Sequence, residues 1–276
     1  MSISISNIAW DRDQDSAVAD LLGRHGVHHI DVAHSKYFPA PSETADASID
    51  YVRRWWADRG VSIAGMQALL FGTQGLNVFA DQCVQQQLLE HLRHVFRIAA
   101  RLGAGRLVFG SPRNRDRGDL SVEAANQIGA TFFHQAGDLA QAEGVVLCLE
   151  PNPEHYGANF MTTTASTAEV VALTGHRHIQ MQLDTGAVFM NGEEPAHLLP
   201  RYAPIIGHVH LSEPNLAELG SMTSDHDPLA ALIGKHLGTR PLTIEMLPPN
   251  DGIAGIERAL VFALGQYGAA QSGEHA

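Results

Sequence analysis

The chain has 276 residues, 45% hydrophobic and 17% charged, enough for one large α/β domain or two small ones with a sizeable core. Eighteen Lys and Arg against thirty Asp and Glu leave a net charge of −12, which opposes binding to nucleic acid or to an acidic membrane surface. No apolar run approaches the ~20 residues of a membrane span. The start, MSISISNIAWDRDQD, lacks the basic and apolar regions of a signal peptide, and Cys83 and Cys148 form no metal-type pair, so a cytoplasmic location is expected.

In chain order, short β-branched or apolar runs alternate with longer amphipathic stretches. Strands are predicted at Ile3–Ala9, His28–Ala33, Ser62–Gln67, Arg106–Phe109, Val145–Glu150, Ile179–Asp184, Ile205–Leu211 and Leu242–Glu245. Between them, 81–103 carries Val84, Leu88, Leu92, Val95, Ile98 and Ala99 at helical spacing, opening on Asp81 and closing on Gly103. The stretch 121–144 behaves the same way and stops at Gly144, and Gly26 and Gly60 end two further helical stretches. Eight strands alternating with helices match the rhythm of a single-domain (β/α)8 TIM barrel over 1–270, with 271–276 as a flexible tail. A doubly wound sheet is the alternative, but the first βα turn has no G-x-G-x-x-G phosphate loop.

A barrel gathers functional groups at the C-terminal ends of its strands. Strands five to eight each end in or near a potential metal ligand: Glu150, Asp184, His210 and Glu245, separated by 34, 26 and 35 residues. A single strand-end acid more often caps the next helix or turn. Four on consecutive strands point instead to one oxygen-rich site for a divalent cation, because clustered carboxylates resist joint ionisation without one. Such a set favours Mn²⁺, Mg²⁺ or Co²⁺, and Zn²⁺ is also compatible. Two residues before each ligand, on the same strand face, stand Cys148, Gln182, His208 and Thr243. His208 and Gln182, with their buried hydrogen-bonding demands, are read as supporting the ligands from below. Of the two histidines in GHVHLSEP, His210 lies nearer the mouth and is the expected ligand, and His208 lies one layer deeper.

Other polar groups fall near the same mouth. Gln67 ends strand three and is placed either to bond a substrate hydroxyl or to pack. Arg113, Arg115 and Arg117 follow strand four; Arg113, nearest the strand, is the expected anion or sugar-acid contact. Lys36 follows strand two as a substrate clamp or proton donor. Asn152, His155 and Tyr156 follow Glu150 in a loop stiffened by Pro151 and Pro153. Trp10, after strand one, offers either an apolar face for a sugar ring or a plug for the barrel.

The motifs SNIAW (6–10), AHSKYFP (33–39), MQALLFG (66–72), LVFGSPRNR (107–115), LEPNPEHYGANF (149–160), LDTG (183–186), HVHLSEP (208–214) and TIEM (243–246) follow one another from strand one to strand eight. In this the chain resembles the sugar phosphate isomerase/epimerase superfamily, the xylose-isomerase-like barrels that include ketose 3-epimerases, hydroxypyruvate isomerase, inosose dehydratase and endonuclease IV. The resemblance implies one divalent metal on Glu150, Asp184, His210 and Glu245. It also implies that Glu150 and Glu245 move the proton alpha to a carbonyl through a metal-stabilised cis-enediolate. The implied activity is that of a sugar or sugar-derivative isomerase or epimerase. Its alternatives are β-elimination at the same site, as in dehydratases and C-glycoside-cleaving lyases, an endonuclease IV-type phosphodiesterase, and a noncatalytic sugar-binding subunit. A small carbohydrate is the implied partner, and a homo-oligomer, dimer or tetramer, is implied by analogy. The chain departs from the ketose 3-epimerase pattern in two places: Phe189 stands where those enzymes carry a substrate-binding His, and Leu216 where they carry an Arg.

Overall fold

The computed structural model describes residues 2–238 and 240–268; the expected tail at 271–276 lies outside them. Eight strands, β1 (Ile3–Ser6), β2 (His29–Ala33), β3 (Ser62–Gln67), β4 (Arg106–Phe109), β5 (Val146–Leu149), β6 (Ile179–Asp184), β7 (Ile206–Leu211) and β8 (Leu242–Ile244), pair in parallel and in sequence order. The pairing of β1 with β8 closes the barrel. Around it run α1 (Asp15–Arg24), α2 (Asp46–Ala57), α3 (Gln82–Leu102), α4 (Val122–Glu143), α5 (Thr164–Thr174), α6 (Thr185–Asn191), α7 (Pro195–Tyr202), α8 (His226–Leu237) and α9 (Ile253–Gly268). This is the (β/α)8 TIM barrel expected from the alternation of strands and helices. No helix among the described residues is long and apolar enough to cross a membrane.

The helix ends follow their capping chemistry. Asp81 accepts from the Val84 N–H at 3.0 Å to open α3, and Gly103 closes it at φ 90°, a left-handed position that a side chain would strain. Ser121 and Gly144 do the same for α4. Five strands are shorter than expected, β1 by the most, while β2, β5 and β7 each start one residue later. The Ser6 hydroxyl accepts from the Ile8 N–H at 3.3 Å and turns 7–9 into a 3-10 turn, so β1 stops at Ser6 instead of Ala9. Likewise β5 and β8 end one residue before Glu150 and Glu245, whose main-chain N–H groups still donate to the Phe109 and Leu211 carbonyls of the neighbouring strands at the barrel mouth.

Ile5, Ile30, Val32, Leu147, Met181, Leu183, Val209 and Ile244 are buried in the shell between strands and helices. The barrel interior is polar instead. Ser4, Ser6, Asp31, Gln182, His208, His210 and Thr243 are all buried there, where many barrels stack branched aliphatics. Two strand pairs slip register, β2/β3 between Ile30 and Asp31 and β6/β7 between Met181 and Gln182.

Candidate active site

The four expected ligands converge. Glu150, Asp184, His210 and Glu245 each bring a donor atom to within 4.8 Å of the others. Register explains why: Asp184 pairs with His210 across β6 and β7, and His210 pairs with Thr243 on β8, two residues before Glu245. His210 Nδ1 lies 3.0 Å from Glu245 Oε2 and 3.4 Å from Glu150 Oε1, with the ring fully buried.

Each acid is held by a neighbour. Asp184 Oδ1 accepts from the Ala187 N–H at 2.6 Å, capping α6, while Oδ2 accepts from Ser212 Oγ at 2.8 Å. The ordinary role of a strand-end acid and its place in the cluster are thus combined in one residue. Gln67 Nε2 donates to Glu245 Oε1 at 2.5 Å, and Asn152 Nδ2 to Glu150 Oε2 at 3.1 Å. Arg115, fully buried, donates to the Glu150 main-chain carbonyl at 2.7 Å. Gly110, just after β4, leaves the space that Glu150 occupies: a Cβ there would overlap its carboxylate.

The electrostatics are those of a site short of positive charge. Burial, then the Glu150 and Glu245 charges, push Asp184 up to about 7 from its ordinary 3.8. Burial alone would lower the His210 imidazole, but Glu245 and Glu150 raise it well above the usual histidine range. Burial would also raise Glu245, yet His210 and Gln67 hold it below the usual carboxylate range. Three carboxylates and one imidazole around a common point fit a divalent cation, which would replace the protons now balancing the cluster.

The cluster lies at the floor of a cavity of about 900 Å³ whose walls include Gln67, Arg113, Asn152 and Tyr156, with Ile8, Leu70, Phe71 and Leu216 among the apolar surfaces. Arg113 is exposed and donates to the Thr73 carbonyl at 3.0 Å, and Tyr156 Oη accepts from the Asn215 N–H at 2.8 Å. Two residues expected at the mouth are not there. Trp10 is buried in the core, donating to Asp15 Oδ1 at 2.8 Å and packing edge-on against Trp56, so it plugs the barrel's flank and offers no ring face. Lys36 does not line the cavity; its ammonium is taken up by the main-chain carbonyls of Asn7 and Trp10. Beneath the cluster His208 contacts Gln182 through Nδ1 at 2.9 Å and approaches Asp31 Oδ2 through Nε2 at 2.7 Å. Ser212 and Asp31 escaped the sequence reading, although a carboxylate interrupting the apolar run HIDVA was a visible signal for the second.

A curated relative, an inosose dehydratase of Bacillus thuringiensis (strain Al Hakam), is 32% identical over 84 residues, which span 30% of this chain and 27% of that protein's length. Among solved structures, a D-psicose 3-epimerase crystallised in the presence of D-fructose superposes with a TM-score of 0.80 at 17% identity, covering 97% of this chain and all of the other. The IOLI protein with a bound zinc atom superposes at 0.75 and 15% identity, over 99% of this chain and 100% of that one. The family model of the xylose isomerase-like TIM barrel matches residues 18–259. Closed barrel and sequence match agree: this chain belongs to the xylose isomerase-like TIM barrel family.

Proposed function

We infer that the chain is a divalent-metal-dependent enzyme acting on a carbohydrate, as an isomerase or epimerase that moves a proton alpha to a carbonyl. The observation that carries this reading is the convergence of two carboxylates, Glu150 and Glu245, on His210 Nδ1 at 3.4 and 3.0 Å, at the floor of a cavity open to substrate. Glu150, Asp184, His210 and Glu245 would hold the ion. Bound there, it would act as a Lewis acid on the substrate's carbonyl and hydroxyl oxygens, making the adjacent C–H acidic enough for a carboxylate to remove its proton.

The remaining work falls to the chain's own side chains. One of Glu150 and Glu245 accepts the proton and the other, or the same one after rotation of the intermediate, returns it. Gln67 and Asn152 keep the two carboxylates aimed, and Arg113 and Tyr156 are available to substrate at the wall. The similarity to sugar epimerases and to an inosose dehydratase supports a carbohydrate substrate.

Elemental analysis of the purified protein, followed by a deuterium-exchange screen over ketoses, inososes and sugar acids, tests the reading. Solvent deuterium should enter a substrate at the carbon next to its carbonyl, and Glu245→Gln should stop that exchange. Normal turnover by the metal-loaded Glu245→Gln protein would sink it. A second reading, enolisation followed by β-elimination, draws on the inosose dehydratase relatives. Loss of water from the product would select it over isomerisation.

A further inference from the structure

Below the four clustered donors lies a second layer of polar residues. Asp31 on β2 is fully buried in the barrel interior, and its Oδ2 lies 2.7 Å from His208 Nε2 on β7. With the Gln182 amide nitrogen turned toward His208 Nδ1 at 2.9 Å, its oxygen lies 3.0 Å from the His210 main-chain N–H. The three side chains thus form a path from β2 through β7 and β6 to the residue expected to ligate the ion. Asp31, His208 and His210 also bring one donor atom each to within 4.8 Å of one another, and His210 Nε2 is buried without a hydrogen-bond partner among the described residues.

Two features of the backbone are explained by this path. The register shifts of β2/β3 and β6/β7 fall at Asp31 and at Gln182, which contact His208 at 2.7 and 2.9 Å, closer than Thr243 Oγ1 at 3.5 Å. A shift of this kind re-aims a side chain at the cost of regular pairing. Opposite Asp31, its register partner on β3 is Gly65, where a Cβ would overlap the Asp31 carboxyl group. The barrel gives up a side chain on one strand to admit a carboxylate on its neighbour. A buried carboxylate is costly unless it is paired, and His208 stands within reach to pair it.

We propose that Asp31 is a positioning residue of the metal centre, acting through His208 and Gln182 to set the orientation of His210. Its carboxylate keeps the His208 proton on Nε2, so Nδ1 accepts from the Gln182 amide N–H. That choice turns the Gln182 oxygen toward His210 and fixes the strand segment that presents the His210 ring. An amide at position 31 can donate to Nε2 instead, moving the His208 proton to Nδ1, reversing Gln182 and withdrawing its oxygen from His210. The inference rests on the reading of Glu150, Asp184, His210 and Glu245 as the metal centre.

The experiment compares wild type, Asp31→Asn, Gly65→Ala and Glu150→Gln by direct Mn²⁺ titration and by the visible spectrum of the Co²⁺-loaded proteins. Asp31→Asn should bind Mn²⁺ about 10–100-fold more weakly and shift the Co²⁺ bands, with one ion still bound per chain at saturation. Gly65→Ala, which displaces the same carboxylate without removing it, should move both readouts in the same direction. It decides the matter if Asp31→Asn does not fold. Wild-type affinity and an unchanged Co²⁺ spectrum in these variants, with binding abolished in Glu150→Gln, would overturn the role of Asp31 and leave the metal centre standing. Absence of binding in wild type would overturn both. Two ions per wild-type chain and one in Asp31→Asn would overturn the positioning role in favour of an ion held by Asp31 itself.

Discussion

Gln67 on β3 donates its amide N–H to Glu245 Oε1 at 2.5 Å, joining residues 178 positions apart across the barrel mouth. The amide lines the cavity, but one of its two N–H donors is already committed to a carboxylate that is itself in contact with His210.

That commitment separates two roles for Gln67. A hydrogen bond to a charged group is worth about 1.5–3 kcal/mol, so Gln67→Ala should lower turnover by roughly 10–100-fold while KM moves little. Steady-state kinetics on the substrate identified by deuterium exchange make the measurement. A raised KM with normal kcat would make Gln67 a substrate contact that is dispensable to Glu245.

Metal affinity should depend on pH with a defined sign. In the metal-free protein Asp184 titrates at about 7, above its ordinary 3.8, so between these values the folded state holds more protons than the unfolded chain. The destabilising contribution of this carboxylate is absent below its ordinary value and complete above about 7. Chelation should therefore lower the melting temperature more at about pH 8 than at about pH 6. A bound cation must displace the Asp184 proton, and the one that Glu245 and Glu150 hold on His210. Affinity should then fall as the solution is acidified below about 7, by up to tenfold per pH unit for each proton displaced. Mn²⁺ titrations across that range measure it, and a flat profile would contradict the proton-balanced cluster.

Trp10 supplies a stability test with no expected kinetic effect. Its indole fills the core beside Trp56 and satisfies Asp15, so Trp10→Ala should cost about 3–5 kcal/mol in urea unfolding. KM should stay at the wild-type value for the folded fraction. A marginal stability loss accompanied by a raised KM would return Trp10 to the cavity wall.

The barrel was readable because periodicity reports burial, and burial is what strands and helices of this fold share. The four donors were readable because each stands where its strand meets the mouth, so their spacing repeats with the βα unit. Trp10 and Lys36 were not, since each is drawn away by a hydrogen-bond partner that residue type and strand position do not reveal: Asp15 for the indole, and two main-chain carbonyls for the amine. Strand β1 was overread because alternation says nothing of a serine that caps the turn after it. Asp31 was passed over for a different reason. It points into the interior from a strand with no ligand at its end, and its partner His208 lies far along the chain on β7.

Gly110 bears on how chains of this shape are sorted. An alanine there would strain no backbone angle and disturb no helix, so the barrel would still close and all four donor residues would still be present in the sequence. Yet the new methyl group would take the place of the Glu150 carboxylate, and that acid would have to swing away from the other three. Counting donor letters would class such a chain as able to bind an ion when it has no room to present them. The informative pattern is five positions long, and its fifth member is an absence.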